Sequence, residues 1–222
     1  MQARRLVSLL AGAALLMVAC GDDEDSSADT AAAGETTPAA GETTPAATGG
    51  CVVGVSWNNY QEERWAKWDE PALKAAIEAG GGSYVSNDAK SSAETQASNV
   101  ENLITQGANV VVILAQDGTA IKPSVANAIA NGVPVIAYDR LIEDAGALYI
   151  TFDNVEVGRM EAREVFAAVP TGNYIIIKGN KADANADFLR AGYEDVIGAA
   201  VAAGDITIVG ETYTDNWDPA KA

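Results

Sequence analysis

Asp139 and Arg140 stand side by side at the end of the apolar run Val135-Ile136-Ala137-Tyr138. In an open α/β sheet, ligands bind outside the carboxyl ends of the strands, so an acid and a guanidinium at that place face a small molecule. A carboxylate accepts hydrogen bonds and a guanidinium donates several in a rigid fork. Together they can grip neighbouring hydroxyls of one sugar. The same two residues could instead form a surface ion pair worth ~0–1 kcal/mol. Other parts of the chain converge on the ligand.

The sequence contains no histidine. That removes Ser-His-Asp and Cys-His catalysis and the commonest zinc ligand. There is no Gly-x-Ser-x-Gly elbow, no Walker loop and no Gly-x-Gly-x-x-Gly after a strand. A secreted carboxylate enzyme acting on sugars would need two opposed carboxyls about 5–10 Å apart. The expected site offers Asp139 paired with Arg140 instead. A protein that is not an enzyme, with no metal and no cofactor, is the expectation. The formal charge of −17 argues against a partner with a phosphate backbone, so no nucleic acid is expected.

These residues need elements to carry them, and from Val52 onward strand-like and helix-like segments alternate. Val52–Trp57 reads as a strand. A helical face with Leu73, Ala76 and Ile77 follows, closed by Gly80-Gly81-Gly82. Ser83–Ser86 is a short strand, and Thr95–Gln106 carries Val100, Leu103 and Ile104 at helical spacing. The uninterrupted apolar run Val110–Leu114 suits a strand buried on both faces. Ile121, Val125, Ala128 and Ile129 mark a helix before the strand Val133–Ala137. Tyr149–Phe152 adds a strand. Beyond Asp153-Asn154 come a helix near Val157–Val169, a strand Tyr174–Lys178, a helix near Asp187–Ala203 and a strand Ile206–Val209. The recurring order of helix, glycine and apolar strand, at Gly107, Gly132 and Gly204, predicts parallel βαβ units in doubly wound α/β sheets. Only two strongly marked strands follow Asn154, too few for a well-covered second sheet. The expectation is a piece of a longer protein whose second lobe is incomplete in this chain.

The N-terminus reads as a targeting segment. Arg4 and Arg5 precede the apolar run Leu6–Ala19, too short and wrongly flanked to span a membrane. The run ends Met17-Val18-Ala19-Cys20-Gly21, which looks like a bacterial lipoprotein cleavage box with Cys20 as the lipidated residue. An ordinary secretory peptide with a chance cysteine is the other reading. Residues 21–50 are acidic, repeat Ala-Gly-Glu-Thr-Thr-Pro-Ala-Ala at Ala33–Ala40 and Ala40–Ala47, and have almost nothing apolar to bury. They are expected to form a disordered tether with a span of about 30 Å. Lipid on Cys20 would leave Cys51 without a partner in the chain, so no disulfide framework is expected. The predicted divisions are residues 1–20 as lipoprotein signal peptide, 21–50 as linker, 51–152 as an N-terminal lobe and 153–222 as a partial C-terminal lobe.

Taken in order, several segments resemble the periplasmic sugar-binding proteins of ABC transporters, most closely the D-xylose-binding type. They are Glu63-Arg64-Trp65, Glu94-Thr95-Gln96, Val100–Ile104, Ala137–Ile142, Phe152-Asp153-Asn154 with Val157-Gly158, Gly172-Asn173-Tyr174, Asn185-Ala186, Arg190-Ala191-Gly192 and Trp217. A related branch binding glucose, galactose and arabinose shares Tyr138–Ile142 and the ending Trp217-Asp218-Pro219-Ala220. The resemblance implies a two-lobed type I periplasmic-binding-protein fold that closes on one monosaccharide, with Asp153-Asn154 at the first hinge crossing. Together with the cleavage box at Cys20, it points to a lipid-anchored protein of the cell envelope, either periplasmic or on the outer face of the cytoplasmic membrane. Such a protein hands an aldose, D-xylose first, to an ABC transporter permease. The alternative is a sugar sensor presenting glucose, galactose or arabinose to a chemoreceptor or sensor kinase. A DNA-binding repressor with a similar core would need a helix-turn-helix where the export signal stands.

Carried over residue by residue, the resemblance makes Arg64 a sugar-binding arginine; the other reading, a solvated arginine beside Glu62 and Glu63, is disfavoured by the ordered motif. It gives Asp139 and Arg140 the hydroxyls on the first-lobe side. Asn185 would bind from the second lobe, with Asp183 and Arg190 as weaker candidates that could serve only local caps or ion pairs. Trp217 would stack on the apolar face of the sugar, and Trp65 or Trp57 would cover the other face. Asn58 and Asp117, which end strands near the same cleft, complete the set. Pro71 departs from the pattern, since interior proline costs ~3 kcal/mol. Either the helix starts near Asp69, leaving Arg64 and Trp65 on a loop, or it bends at Pro71.

Overall fold

Along the third strand, Val111 and Ile113 point to one face of a sheet while Val112 and Leu114 point to the other, and all four are buried. That strand is the centre of a parallel sheet, in a computed structural model that describes residues 50–222. The expected signal peptide, the Cys20 lipidation site and the linker up to residue 49 lie outside the described residues. The sheet comprises β1 (Val52–Trp57), β2 (Ser83–Asp88), β3 (Val110–Ile113), β4 (Val135–Tyr138) and β5 (Ala147–Ile150), in the spatial order β2-β1-β3-β4-β5. On one face, Val100 and Leu103 of α2 (Ala93–Thr105) and Val125 and Ala128 of α3 (Lys122–Ala130) pack on Val111, Ile113, Val135 and Ala137. On the other, Trp65 and Leu73, the latter from α1 (Glu70–Ala79), meet Val55, Trp57, Val112 and Leu114.

The helix boundaries follow from local chemistry. Ser92 accepts a hydrogen bond from the Thr95 amide at 3.1 Å to cap α2. Gly107, Gly132 and Gly204 follow their helices at φ of 93°, 74° and 82°, a backbone that side chains resist. Pro71 resolves differently from the first sequence option. The helical backbone is already formed at Glu63, so Arg64 and Trp65 lie on a helix and not on a loop. Between Trp65 and Asp69 the turn widens to a π turn, closed by the Glu70 amide bonding the Trp65 carbonyl, and Pro71 falls in the first turn of α1. The wider turn relieves the clash between a proline ring and the preceding turn.

After Ile150 the chain enters α4 (Asn154–Ala168), capped by Asp153, whose carboxylate accepts the Glu156 amide at 2.9 Å. Then come β6 (Gly172–Lys178), α5 (Asn185–Ala203) and β7 (Ile206–Tyr213), with β6 and β7 forming a two-stranded parallel sheet. Strand β7 runs four residues past the expected Val209, because Thr212 and Tyr213 continue to pair with Ile177 and Lys178 beyond a register shift at Tyr174/Ile175. Its last residues are not apolar, which is why the sequence hides them. The terminal residues form two short 3₁₀ turns, Asp215–Trp217 and Pro219–Lys221.

One face of the second sheet packs Ile206 against Ala162 and Ile197, while Ile175, Ile177 and Val209 on its other face are exposed. The architecture is the two-lobed type I fold with an incomplete second lobe. Helices α4 and α5 approach so closely that a Cβ at Gly192 would lie 2.2 Å from the Val155 carbonyl oxygen. In an open helix, Gly→Ala stabilises by ~1 kcal/mol. Here Gly192→Ala must push two helices apart, so a loss of about 1–3 kcal/mol is expected from urea unfolding followed by circular dichroism. A gain in stability would contradict the packing described.

Candidate functional site

The backbone turns sharply where β4 ends. Asp139 takes a left-handed conformation (φ 63°), which aspartate tolerates better than most residues. The turn is held by the Asp139 amide bonding Ile150 O at 2.8 Å and the Arg140 amide bonding Tyr138 O at 2.7 Å. It sends the two side chains in different directions. Asp139 Oδ2 accepts from Arg64 Nη1 at 2.9 Å, while the Arg140 guanidinium turns inward and is only 3% exposed.

Arg140 gathers partners from both sides of the cleft. Its Nη2 donates to Glu62 Oε2 at 3.0 Å and Oε1 at 3.2 Å, and its Nη1 donates to the Ala115 carbonyl at 3.3 Å. Its Nε lies 3.2 Å from Asp183 Oδ2, at ion-pair distance but without hydrogen-bond alignment. Trp217 Nε1 donates to that same Asp183 oxygen at 3.0 Å, and Trp65 Nε1 donates to Glu62 at 2.7 Å. From the start of α5, Asn185 Nδ2 donates to the Asp139 carbonyl at 3.1 Å and its Oδ1 accepts from Asn154 at 3.0 Å.

Arg64 completes the group. Its Nε stands 2.9 Å from Asp69 Oδ2, and its guanidinium lies over the Trp65 ring at 4.4 Å and the Phe152 ring at 5.5 Å. Burial alone would lower its pKa, but the Asp139 charge and the Asp69 hydrogen bond outweigh it and leave the group more firmly protonated. Burial, then the hydrogen bond to Asp69, pushes the Tyr138 phenol up to about 12, so it remains a donor. Burial also holds the Asp183 carboxyl above the usual carboxylate range, with the Arg140 charge opposing it.

These side chains line one cleft of about 320 Å³ between the two sheets. Seven of the nine expected ligand contacts meet there: Arg64, Trp65, Asp139, Arg140, Asp183, Asn185 and Trp217. Asn58 and Asp117 do not line it. Asn58, which directly follows β1, is fully buried, and neither atom of its amide has a partner among the described residues. Asp117 turns its carboxylate onto the Thr119 and Ala120 amides at 2.8 and 2.9 Å, shaping the loop before α3. Trp57 is core, with its indole donating to Tyr84 OH, so Trp65 is the ring at the cleft. Arg190 pairs with Glu211 and Glu194 away from the cleft.

Sequence reasoning passed over Glu62, Phe152 and Asn154, which line the cleft, and Asp69, which braces Arg64. Glu62 carried a usable signal: it precedes Trp65 by one helical turn, so the two share a face. The arrangement offers guanidinium and amide donors, carboxylate acceptors and flat rings within one small volume, a set suited to a neutral polyhydroxylated molecule.

The periplasmic binding protein domain family matches residues 53–222. A D-xylose-binding periplasmic protein of Escherichia coli is 37% identical over 171 residues, covering 77% of this chain and 52% of that protein. A multiple sugar-binding periplasmic receptor of Rhizobium radiobacter is 31% identical with the same coverage of both chains. Among solved structures, a carbohydrate transporter solute-binding protein from Chloroflexus aurantiacus, in complex with D-glucose, superposes with a TM-score of 0.65 at 33% identity. That match covers 72% of this chain and 48% of the other. The chain therefore spans about half the length of the curated relatives it matches.

The raised Asp183 pKa has a definite sign in stability. The folded state holds this proton more tightly than the unfolded chain, so the contribution of Asp183 to stability declines as pH rises from about 3.9 through its folded value. Asp183→Asn removes that dependence. Relative to the parent, the variant is expected to gain stability steadily as pH rises across that window in denaturant titrations. An unchanged difference between the two proteins at every pH would refute the assignment.

Proposed function

We propose a monosaccharide-capture role for this chain, which belongs to the periplasmic binding protein domain family. The observation that carries the reading is the convergence of Arg64, Asp139 and Arg140 from the first lobe with Asp183, Asn185 and Trp217 from the second on one cleft. Its volume of about 320 Å³ falls at the small end of ligand pockets, which span roughly 300–1,000 Å³. Arg64 and Asn185 donate to ring and hydroxyl oxygens, the carboxylates of Asp139 and Asp183 accept from hydroxyls, and Trp65 and Trp217 provide the rings that sugar C–H faces need. No bond is made or broken. Binding favours the state in which the lobes are together because only that state presents both sets of contacts.

D-Xylose is the favoured ligand, supported by the 37% and 33% identities to two D-xylose-binding periplasmic proteins. We further propose that the protein delivers its sugar to an ABC transporter permease and is held at the membrane by lipid on Cys20. Among the described residues no helix is long and apolar enough to cross a membrane.

Two experiments test these statements. Titration of the protein with xylose, glucose, galactose, arabinose and ribose, followed by tryptophan fluorescence, is expected to saturate with D-xylose at the lowest concentration. Arg140→Ala should weaken that binding on the order of a hundredfold, since it strands Glu62 and Asp183 without their shared cation. No saturable response to any of the five would sink the sugar assignment. Separately, Cys20→Ser should move the expressed protein from the membrane fraction to the soluble fraction. Retention at the membrane would remove the lipid anchor from the account.

A further inference from the structure

Beyond the residues lining the cleft, a chain of hydrogen bonds crosses from the core of the first lobe to the backbone beneath Trp217. It begins at Gln96 of α2, a fully buried amide. Gln96 Nε2 donates to the Leu114 carbonyl at 2.8 Å, and its Oε1 accepts from the Gln116 amide at 2.7 Å, which fixes the loop just after β3. From that loop the Gln116 side chain, 6% exposed, donates through Nε2 to Asn216 Oδ1 at 2.8 Å. The two residues are 100 positions apart and belong to different lobes.

The receiving segment is strained. Asn216 and Trp217 are consecutive non-glycine residues in the left-handed region, at φ 58° and 54°. Such a conformation costs on the order of 1–2 kcal/mol per residue and persists only where surroundings impose it. Three contacts impose it here. Gln116 holds Asn216, Asp183 receives the Trp217 indole N–H at 3.0 Å, and the ring lies against Gly179, where a Cβ would come within 2.0 Å of the ring carbons. Of these, the Gln116 contact alone comes from the first lobe.

We propose that Gln116, seated by Gln96, is the positioning residue for Trp217. It fixes the left-handed Asn216-Trp217 turn across the lobe interface, so that approach of the lobes also sets the stacking wall. The inference rests on the reading that the cleft takes a monosaccharide against Trp217. It adds a specificity-determining residue that touches no ligand.

The test separates this claim from the sugar assignment by using the sugar-free protein first. Hydrogen exchange of the four tryptophan indole N–H groups is followed by NMR, with the Trp217 signal identified by its loss in Trp217→Phe. In Gln116→Met, which keeps side-chain length but cannot donate, exchange at Trp217 is expected to accelerate about fivefold or more, with Trp57 and Trp65 unchanged. Asn216→Asp preserves the acceptor and should keep the parent rate. Should Gln116→Met fail to fold, Asn216→Gly serves in its place. Glycine takes the left-handed backbone without strain yet lacks the acceptor, and Trp217 should again exchange faster.

Parent-like exchange at Trp217 in either Gln116→Met or Asn216→Gly overturns the proposal, whatever the sugar titration gives. Faster exchange together with weaker D-xylose binding, of similar size in both variants, supports it. Faster exchange in the variants, combined with a parent protein that binds none of the five sugars, upholds the relay and refutes only the ligand assignment.

Discussion

Everything at the cleft depends on keeping one guanidinium out of water. Removing a cation from solvent costs several kcal/mol unless its donors are satisfied and its charge is opposed. Arg140 meets that demand with Glu62 from the bend just before the helix that carries Arg64, the Ala115 carbonyl just after β3, and Asp183 from the second lobe. Because these partners come from separate parts of the chain, satisfying the cation also fixes where those parts sit. Trp65 and Trp217 are aligned by the same carboxylates, so the position of both rings is tied to the charge at the centre.

A buried cluster of this kind is rarely the most stable solution, since apolar residues of similar volume often pack as well or better. Its value lies in direction. Carboxylates and guanidinium groups already held at fixed angles lose little freedom when a hydroxylated molecule arrives, so less of the contact energy is lost to ordering. The π turn between Trp65 and Asp69 belongs to the same economy of geometry. It lets the helix carry Arg64 and Trp65 toward the cleft while accommodating Pro71 one turn later. Without the wider turn, a helix started near Asp69 would leave Arg64 on a loop, free of the Asp69 and Asp139 contacts that orient it.

Much of the fold was legible because β3 and β4 are apolar runs bounded by glycine, and the helices between them keep their buried positions at helical spacing. The extension of β7 to Tyr213 was not legible, since Glu211, Thr212 and Tyr213 pair through their backbones and carry no apolar pattern. At the site, adjacency in sequence marked Asp139 and Arg140, and resemblance marked Arg64, Asn185 and Trp217. Asn58 and Asp117 show why strand ends alone mislead. One is fully buried away from the cleft lining, and the other binds its own loop. Trp57 and Trp65 pack on the same face of the first sheet, and only Trp65 also reaches the cleft, a difference that spacing does not encode.

The strand order β2-β1-β3-β4-β5 carries a consequence for how the chain acquires its shape. Among the described residues the first strand made is an interior one, and Val53 must find both Tyr84 and, later, Val110. Parallel pairings over such separations require large loops to close before any contact rewards them, which slows folding relative to hairpin-built sheets. Until β3 emerges, one side of β1 is an open edge of Val and Trp backbone, the kind of surface that holdase chaperones occupy. The central position that makes β1 and β3 a floor for Arg140 thus also leaves β1 with an open edge until the residues of β3 have been synthesised.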